Sequence, residues 1–262
     1  MSWHQLMEGS EVVASASELD TARFGLPVSR VIVPSAARAH VDEVADAIRG
    51  QAADVCIVRY PARHQEWFRD LVRQLDEVLL ADTLVYWSHQ AVSTPSSGVT
   101  AVQAEESPVD LGTVDDLVQR IFAGYGNHYA ANRIFPARLV LDGYREWAAS
   151  SARDGDAVVL DVAGQPAALA TLASTNDVCE VLLAGVVPEH QGGGHYARLL
   201  ADVERRARSA GNERLVISTQ GHNVNVQKAW VRAGFEPAEC FLTLHVMRRG
   251  AAPLSGRSSL RG

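Results

Sequence analysis

The stretch that decides the fold is CEVLLAGVVPEHQGGGHYARLLADVERRA, which runs from Cys179 to Ala207. It opens with an apolar run typical of a buried strand, ends that run at Val187, turns at Pro188 and reaches three successive glycines. A helical pattern with basic residues in its final turns follows. Glycines let a backbone approach a ligand closely, and their N–H groups at a helix N-terminus bind anions. The stretch therefore predicts an anion site suited to a diphosphate.

The spacing of these glycines matches neither GxGxxG nor GxxxxGK[ST], so it gives no direct support to the common nucleotide-binding loops. A glycine triplet alone is more often a flexible turn. The flanking pattern adds the needed specificity. A strand over Arg214–Thr219 and a helix over Asn223–Ala233 follow, and NVNVQKAWVRAGF spans the second of these.

This pattern resembles the GNAT superfamily of acyl-CoA-dependent N-acyltransferases. Gln191–Gly194 fits the Q/R-x-x-G diphosphate loop of that superfamily, and Leu183–Val187 is similar to its splayed strand, whose backbone pairs with pantetheine. Asn223, followed after seven residues by the aromatic Trp230 and then by Gly234-Phe235, matches a second GNAT pattern. The resemblance covers about residues 99–249.

The fold class that the resemblance implies is α/β (α+β): a twisted, mixed, mostly antiparallel sheet with a splayed central strand pair and flanking helices. Ahead of it the sequence predicts a small α/β N-terminal domain. Its helix over residues 37–49 places Val41, Val44, Ala45 and Ile48 on one face. We therefore expect an N-terminal domain at 1–95, a GNAT domain at 96–250 and a flexible tail at 251–262, with STPSSG (Ser93–Gly98) as the linker.

The resemblance implies acetyl-CoA as the acyl donor. The residues expected to contact it are Val186, Val187, Gln191, Gly192, Gly193, Gly194, His195, Asn223 and Trp230. A backbone N–H of the splayed strand, that of Val186 or Val187, would polarise the thioester carbonyl.

Two positions depart from the superfamily. Tyr196 stands where its members usually have glycine or alanine. Trp230 stands where many have a tyrosine that protonates the leaving thiolate, and tryptophan carries no acid of suitable pKa. We therefore expect Trp230 to pack against the pantetheine arm or the core, and the general acid stays unassigned.

The candidate bases are Glu180 and His222, with a water chain as the alternative. Strand alternation predicts Glu180, Leu182, Ala184 and Val186 on one face. The resemblance also places Glu180 where histone-type GNAT enzymes carry their glutamate base. The competing interpretations are a solvated strand-end residue for Glu180 and a helix-flanking residue for His222.

A second polar cluster lies in GYGNHYAANRIF, Gly124–Phe135. In GNAT topology the loop between the first two helices covers the acceptor, so the resemblance implies that this segment contacts the substrate. The residues expected to do so are Asn127, His128, Tyr129 and Asn132.

Within the superfamily, the two-part layout and the phrases LDTARFGLPVSRV, NHYAAN and TQGHNVNVQKAW are similar to the dTDP-fucosamine acetyltransferase group. The acceptor this implies is an amino-deoxysugar carried on a nucleotide. Acetylation of another amine, in an antibiotic, an amino acid or a protein, is the alternative within enzymes. A noncatalytic acyl-CoA-binding regulatory module is the alternative outside them.

Composition and charge indicate which partners, metal sites and cellular location to expect. The net charge of −7 over 262 residues disfavours nucleic-acid binding through a basic surface. No apolar run is long enough for a membrane span, and the N-terminus lacks the pattern of a signal peptide, so we expect a cytoplasmic protein. The three cysteines lack metal-binding spacing, which predicts no metal site. A small-molecule amine is the expected partner, and a homodimer is compatible with the sequence.

Overall fold

The structure, a computed structural model, describes residues 3–90 and 109–248. The described residues form two compact units, each built from separate segments. The first comprises 3–84, 126–140 and 239–248, and the second comprises 85–90, 109–125 and 141–238. Three predicted features lie outside the described residues: the boundary between residues 95 and 96, the linker at 93–98 and the tail at 251–262. The domain bounds therefore stay a prediction.

The first unit is a small α/β body. Its elements are α1 (Trp3–Glu8), β1 (Val13–Ala16), α2 (Glu18–Phe24), β2 (Val28–Ile32), α3 (Val41–Arg49), β3 (Val55–Pro61), α4 (Trp67–Gln74) and most of β9 (Glu236–Met247). The strand order is β1-β2-β3-β9, with β2 parallel to β3 and the other two pairings antiparallel. Val41, Val44, Ala45 and Ile48 are buried along one face of α3, as predicted.

The second unit holds the stretch from Cys179 to Ala207. Its elements are α5 (Leu111–Phe122), most of α6 (Ala137–Arg153), β5 (Ala157–Val162), β6 (Gln165–Thr175), β7 (Val178–Val186), α7 (His195–Ser209), β8 (Arg214–Gln220) and α8 (Val224–Arg232). β4 (Glu77–Gln90) contributes residues to both units. The order is β8-β7-β6-β5, with β5, β6 and β7 antiparallel and β8 parallel to β7. A mixed, mostly antiparallel sheet with flanking helices confirms the predicted fold class.

Alternate residues of β6 face two separate apolar cores in the second unit. Ala168 and Ala170 pack with α7, whereas Ala167 and Leu169 pack with α5 and α6. This period of two is what a strand covered on both sides requires. Helices therefore cover both faces of the sheet.

β7 contains a bulge at Leu182. In its register with β6, Leu172 pairs with Val181 and Thr171 pairs with Leu183, so Leu182 is an extra residue. An extra residue inverts the alternation beyond it. The prediction that Glu180 shares a face with Ala184 and Val186 is therefore wrong. Ala184 and Val186 join Cys179 and Val181 on the α7 side.

The parallel pairing of β7 with β8 is short. It covers four positions, from Val178 with Arg214 to Val181 with Ile217. β7 continues to Val186 and β8 continues to Gln220, so their carboxyl-terminal halves are not paired in the ladder. A gap between the two strands opens immediately at the bulge, which is the splay that the resemblance implied.

Gly185 lets α5 approach β7 closely. A Cβ added to Gly185 would lie 2.2 Å from Cγ2 of Ile121, a separation that real Cβ atoms do not show. Because Cγ2 branches directly from Cβ of Ile121, it has little freedom to move away. A side chain at residue 185 would therefore push α5 off the sheet.

We predict that Gly185→Ala lowers the free energy of unfolding by about 1–3 kcal/mol, the usual cost of overpacking a core. Chemical denaturation measures it. Gly124→Ala is the control, because an added Cβ there meets nothing within 4 Å. Ile121→Ala removes the clashing methyl, so the double variant should show no further cost from Gly185→Ala. An additive double variant would contradict the proposed contact.

Candidate active site

The glycine loop between β7 and α7 presents open backbone. Gly192 and Gly194 have φ of +81° and +77°, values that favour glycine, and a Cβ added to either meets nothing within 4 Å. α7 begins at His195 directly after Gly194. The unpaired N–H groups of its first turn and the helix dipole favour an anion there. The loop therefore fits the diphosphate of an acyl-CoA.

The carboxyl-terminal end of β7 directs one residue's backbone toward the gap. The N–H of Val187 donates to the carbonyl oxygen of Ala167 at 2.9 Å, so this N–H is already used. Neighbouring residues in an antiparallel strand direct their backbone groups to opposite sides. Val186 therefore directs its N–H and C=O away from β6. Its carbonyl accepts a hydrogen bond from Nε2 of Gln191 at 3.1 Å, which ties the glycine loop to the strand.

Tyr196 and Trp230, the two departures from the superfamily pattern, are hydrogen-bonded to each other. Nε1 of Trp230 donates to the hydroxyl of Tyr196 at 2.9 Å. Trp230 is buried in the core on the α7 side and meets Trp87 edge-on, with ring centroids 6.1 Å apart. Burial, reinforced by the neighbouring Tyr125, raises the pKa of Tyr196. Tyr196 is therefore a neutral phenol at physiological pH.

A set of polar side chains surrounds the end of β8, and sequence reasoning predicted a role for Asn223 alone among them. The Tyr125 hydroxyl lies 3.1 Å from Oγ1 of Thr219 and also donates to the side chain of Gln220. Nδ2 of Asn223 donates to the same Oγ1 at 3.1 Å. Thr219 and Gln220 follow Ile217, the last residue that pairs with β7, so they belong to the unpaired half of β8. Thr219 and Gln220 could have been identified only by their position beyond the last paired residue of β8. That position depends on the register between β7 and β8, which a sequence alone does not reveal.

The two candidate bases occupy different surroundings. Glu180 is half-buried and lies in the paired part of β7, opposite Ala173 on β6 and Val216 on β8. It precedes the bulge and alternates with Cys179 and Val181, so it faces the α5 and α6 side of the sheet. His222 is exposed in the turn between β8 and α8. The role of either residue as the base stays a prediction.

The four residues predicted to contact the acceptor lie in the first unit and are buried. The hydroxyl of Tyr129 donates to Asp20 at 2.8 Å and accepts from Arg30 at 2.9 Å. Burial raises the pKa of Tyr129 to about 12. Burial alone would raise the pKa of Asp20, but the Arg30 guanidinium, 2.6 Å away, holds it below its ordinary value. Tyr129 is thus part of a buried, charged network.

His128 belongs to a second buried contact of the first unit. Its Nδ1 lies 2.9 Å from Nε2 of His245 on β9, so one ring donates and the other accepts. Burial, with the charge of Arg59, lowers the pKa of His128 well below its ordinary value. Burial, with the charge of Arg30, lowers the pKa of His245 to about 4. Both rings are therefore neutral at pH 7.

The two asparagines of this segment are also buried. Oδ1 of Asn127 accepts from the backbone N–H of Tyr129 at 3.0 Å, and Nδ2 of Asn132 contacts Sδ of Met247 at 3.2 Å. Asn127, His128, Tyr129 and Asn132 thus make contacts within the first unit. Their predicted contact with an acceptor stays a prediction.

The structure gathers the other predicted residues in the second unit. These are Glu180, Val186, Val187, Gln191, Gly192, Gly193, Gly194, His195, His222, Asn223 and Trp230. Gly193 packs against the ring of His195, because an added Cβ would lie 2.8 Å from its Nε2. No described helix has the length and apolarity to cross a membrane. Between residues 3 and 90 and between 109 and 248, His, Cys, Asp and Glu side chains form no group of three arranged to hold a metal.

The glycine loop and β8 lie within a stretch of the chain that matches a known protein family. Residues 125–235 match the model of the acetyltransferase (GNAT) family. A search of curated proteins gives no match. Among solved structures, a GCN5-related N-acetyltransferase from Sphaerobacter thermophilus shares 11% identity at a TM-score of 0.58, covering 90% of this chain and 76% of that one.

Two further solved structures share the fold. A functionally unknown conserved protein from Staphylococcus epidermidis is 11% identical at a TM-score of 0.57, covering 95% of this chain and 98% of that one. A GCN5-related glucosamine N-acetyltransferase region of a fungal multi-domain β-N-acetylglucosaminidase is 13% identical at 0.54, covering 89% of this chain and 31% of that one. At such low identity these likenesses establish the fold alone.

We predict that stability falls as pH decreases from about 6.5 toward 4. The folded pKa of His245 is depressed to about 4, whereas the unfolded chain binds a proton near 6.5. The unfolded state therefore gains protons first, and folding loses about 3 kcal/mol from His245 alone. Urea unfolding at each pH measures this loss. His245→Gln should flatten the profile in part, since His128 still titrates, and an unchanged profile in this variant would contradict the prediction.

We predict that a negative charge in the glycine loop weakens acetyl-CoA binding. Gly194→Asp and Gly194→Asn share the strain of a left-handed residue, but only Asp brings a carboxylate toward the phosphates. Calorimetry should show affinity about 10- to 100-fold lower for Asp than for Asn at low salt. Equal affinities in two folded variants would exclude this loop as the binding site of the diphosphate.

Proposed function

We propose that the chain is an acyltransferase of the GNAT superfamily, whose family model residues 125–235 match, and that it acetylates the primary amine of a small molecule with acetyl-CoA as its acyl donor. The observation that carries the proposal is the order of features along β7. The strand separates from β8 after Val181, and it ends in a glycine loop at the N-terminus of α7. Together they offer a slot for a thioester arm and an anion site at its mouth.

The backbone supplies the donor contacts. The glycine-loop N–H groups and the first turn of α7 would hold the diphosphate. The N–H of Val186 is directed away from β6, whereas that of Val187 is bonded to Ala167. We therefore assign polarisation of the thioester carbonyl to Val186. A hydrogen bond to that oxygen strengthens as negative charge develops on it, which lowers the barrier to attack.

Deprotonation of the amine is assigned to Glu180. It stands two residues before the bulge, at the closed end of the gap, and is half-buried. A thioester carbonyl at the N–H of Val186 would lie six residues along the extended strand from Glu180, roughly 15–20 Å. The Glu180 carboxylate would therefore accept the proton through a chain of waters that spans this distance. His222, in the turn after β8, is the alternative base.

For the acceptor we propose an amino-deoxysugar carried on a nucleotide. The sequence phrases that resemble the dTDP-fucosamine acetyltransferase group support this choice. The fungal region with the same fold is described as a glucosamine N-acetyltransferase, so the fold is compatible with an amino-sugar acceptor. The decisive experiment incubates the protein with acetyl-CoA and dTDP- or UDP-linked amino sugars, amino acids and aminoglycosides. Thiol release only with amino acids or aminoglycosides would show that the acceptor is not a nucleotide-linked amino sugar. The absence of thiol release with every amine tested would favour a binding module.

We predict that Glu180→Gln lowers kcat by roughly 10²–10⁴-fold while acetyl-CoA affinity is unchanged, because the amide keeps the shape but cannot accept the proton. Steady-state kinetics over pH 5–8 should also lose the acidic limb. Glu213→Gln, an exposed position just before β8, serves as the control and should behave as wild type. Near-normal turnover in Glu180→Gln would exclude this carboxylate. Survival of the acidic limb with a raised KM would mean that it only orients the amine.

A further inference from the structure

Side chains from both faces of the sheet lie beside the gap between β7 and β8. Tyr125 packs on the α5 and α6 face, with its ring edge-on to Phe122 at 5.7 Å, whereas Tyr196 packs on the α7 face. The hydroxyl of Tyr125 reaches Thr219 on the unpaired half of β8. Tyr196 packs in the same apolar cluster as Ala184 and Val186, the residues of β7 beyond the end of its pairing with β8. Tyr196 therefore lies beside the unpaired half of β7.

The hydroxyl of Tyr196 has a defined polarity. An indole N–H can only donate, so in the contact at 2.9 Å the tyrosine oxygen is the acceptor. Within residues 3–90 and 109–248, Trp230 is the one hydrogen-bond partner of this hydroxyl. The O–H of Tyr196 consequently remains available to a ligand in the gap. Because Trp230 is fixed in the core by Trp87, the phenol is held in place.

We propose that Tyr196, positioned by Trp230, is a catalytic residue that stabilises the departing CoA thiolate by hydrogen-bond donation without giving up its proton. This assignment rests on the proposed function, because it needs an acyl thioester in the gap. Trp230 acts through Tyr196 and is a positioning residue.

The chemistry explains why donation is sufficient. The amine nitrogen forms a bond to the thioester carbonyl carbon, the carbon–sulfur bond breaks, and its electron pair goes to sulfur. The neutral amine nitrogen loses one proton to the base, which passes it to solvent, and keeps the other as the amide N–H, while the thiolate takes a proton from solvent. Burial raises the pKa of Tyr196 well above the value of about 8.5 for a free thiol. Full transfer from phenol to thiolate would therefore be uphill, whereas a preorganised donor stabilises the charge at no such cost.

The test measures the thiol of bound CoA in the folded protein. Ultraviolet titration should give a bound thiol pKa below the free value in wild type, and a value at or above it in Tyr196→Phe. The ratio of CoA to desulfo-CoA affinity should rise with pH in wild type and stay flat in Tyr196→Phe. Turnover should fall roughly 10- to 10³-fold in Tyr196→Phe, with acetyl-CoA affinity near wild type. Trp230→Phe should give a smaller change of the same sign.

The outcomes separate this assignment from the function on which it rests. Wild-type protein that binds neither CoA nor desulfo-CoA would overturn the proposed function itself. Wild type and Tyr196→Phe with equal thiol pKa values, and with CoA bound to both, would overturn only the assignment of Tyr196. Tighter CoA binding and faster turnover in Tyr196→Ala would overturn it in another way, since the ring would then obstruct the slot. A phenol that donated its proton completely would give tyrosinate absorbance on thioester cleavage, which also contradicts the proposal.

Discussion

The end of pairing between β7 and β8 is the constraint on which the rest of the second unit depends. Strands in the interior of a sheet normally satisfy every backbone group by pairing, and a segment that leaves the ladder exposes donors and acceptors at a cost. Here the cost is localised by the bulge at Leu182, where the pairing with β8 also ends. The N–H and C=O groups freed beyond it suit a ligand with amide and carbonyl groups.

The same bulge determines which apolar side chains of β7 face each of the two cores. Before Leu182, Cys179 and Val181 pack toward α7, and after it Ala184 and Val186 do so. If Leu182 took a regular position in the ladder, the apolar side chains beyond it would exchange faces, and Gly185 would no longer lie against Ile121. The close approach of α5 and the opening of the gap therefore have a common cause.

Sequence reasoning predicted the features that depend on local pattern. The glycine loop, the helix α7 after it and the buried face of α3 follow from residue type and periodicity. It failed at the bulge, because counting by two from Glu180 assumes an unbroken ladder. It also missed Tyr125, whose partners Thr219 and Gln220 lie more than ninety residues along the chain. Such contacts depend on register between distant strands, which no local pattern encodes.

The two departures at residues 196 and 230 form one structural unit and are best understood together. A tryptophan at residue 230 buries an indole N–H, which costs about 1–3 kcal/mol if it stays unpaired, and Tyr196 supplies the acceptor. A tyrosine at residue 196 in turn needs its ring fixed, which the buried Trp230 provides. Either residue alone would leave a defect that the other removes. The phenol thus lies beside the gap, but it belongs to the first turn of α7. The chemical role of residue 230 therefore cannot be inferred from that position alone, because its hydrogen-bond partner Tyr196 is on another helix.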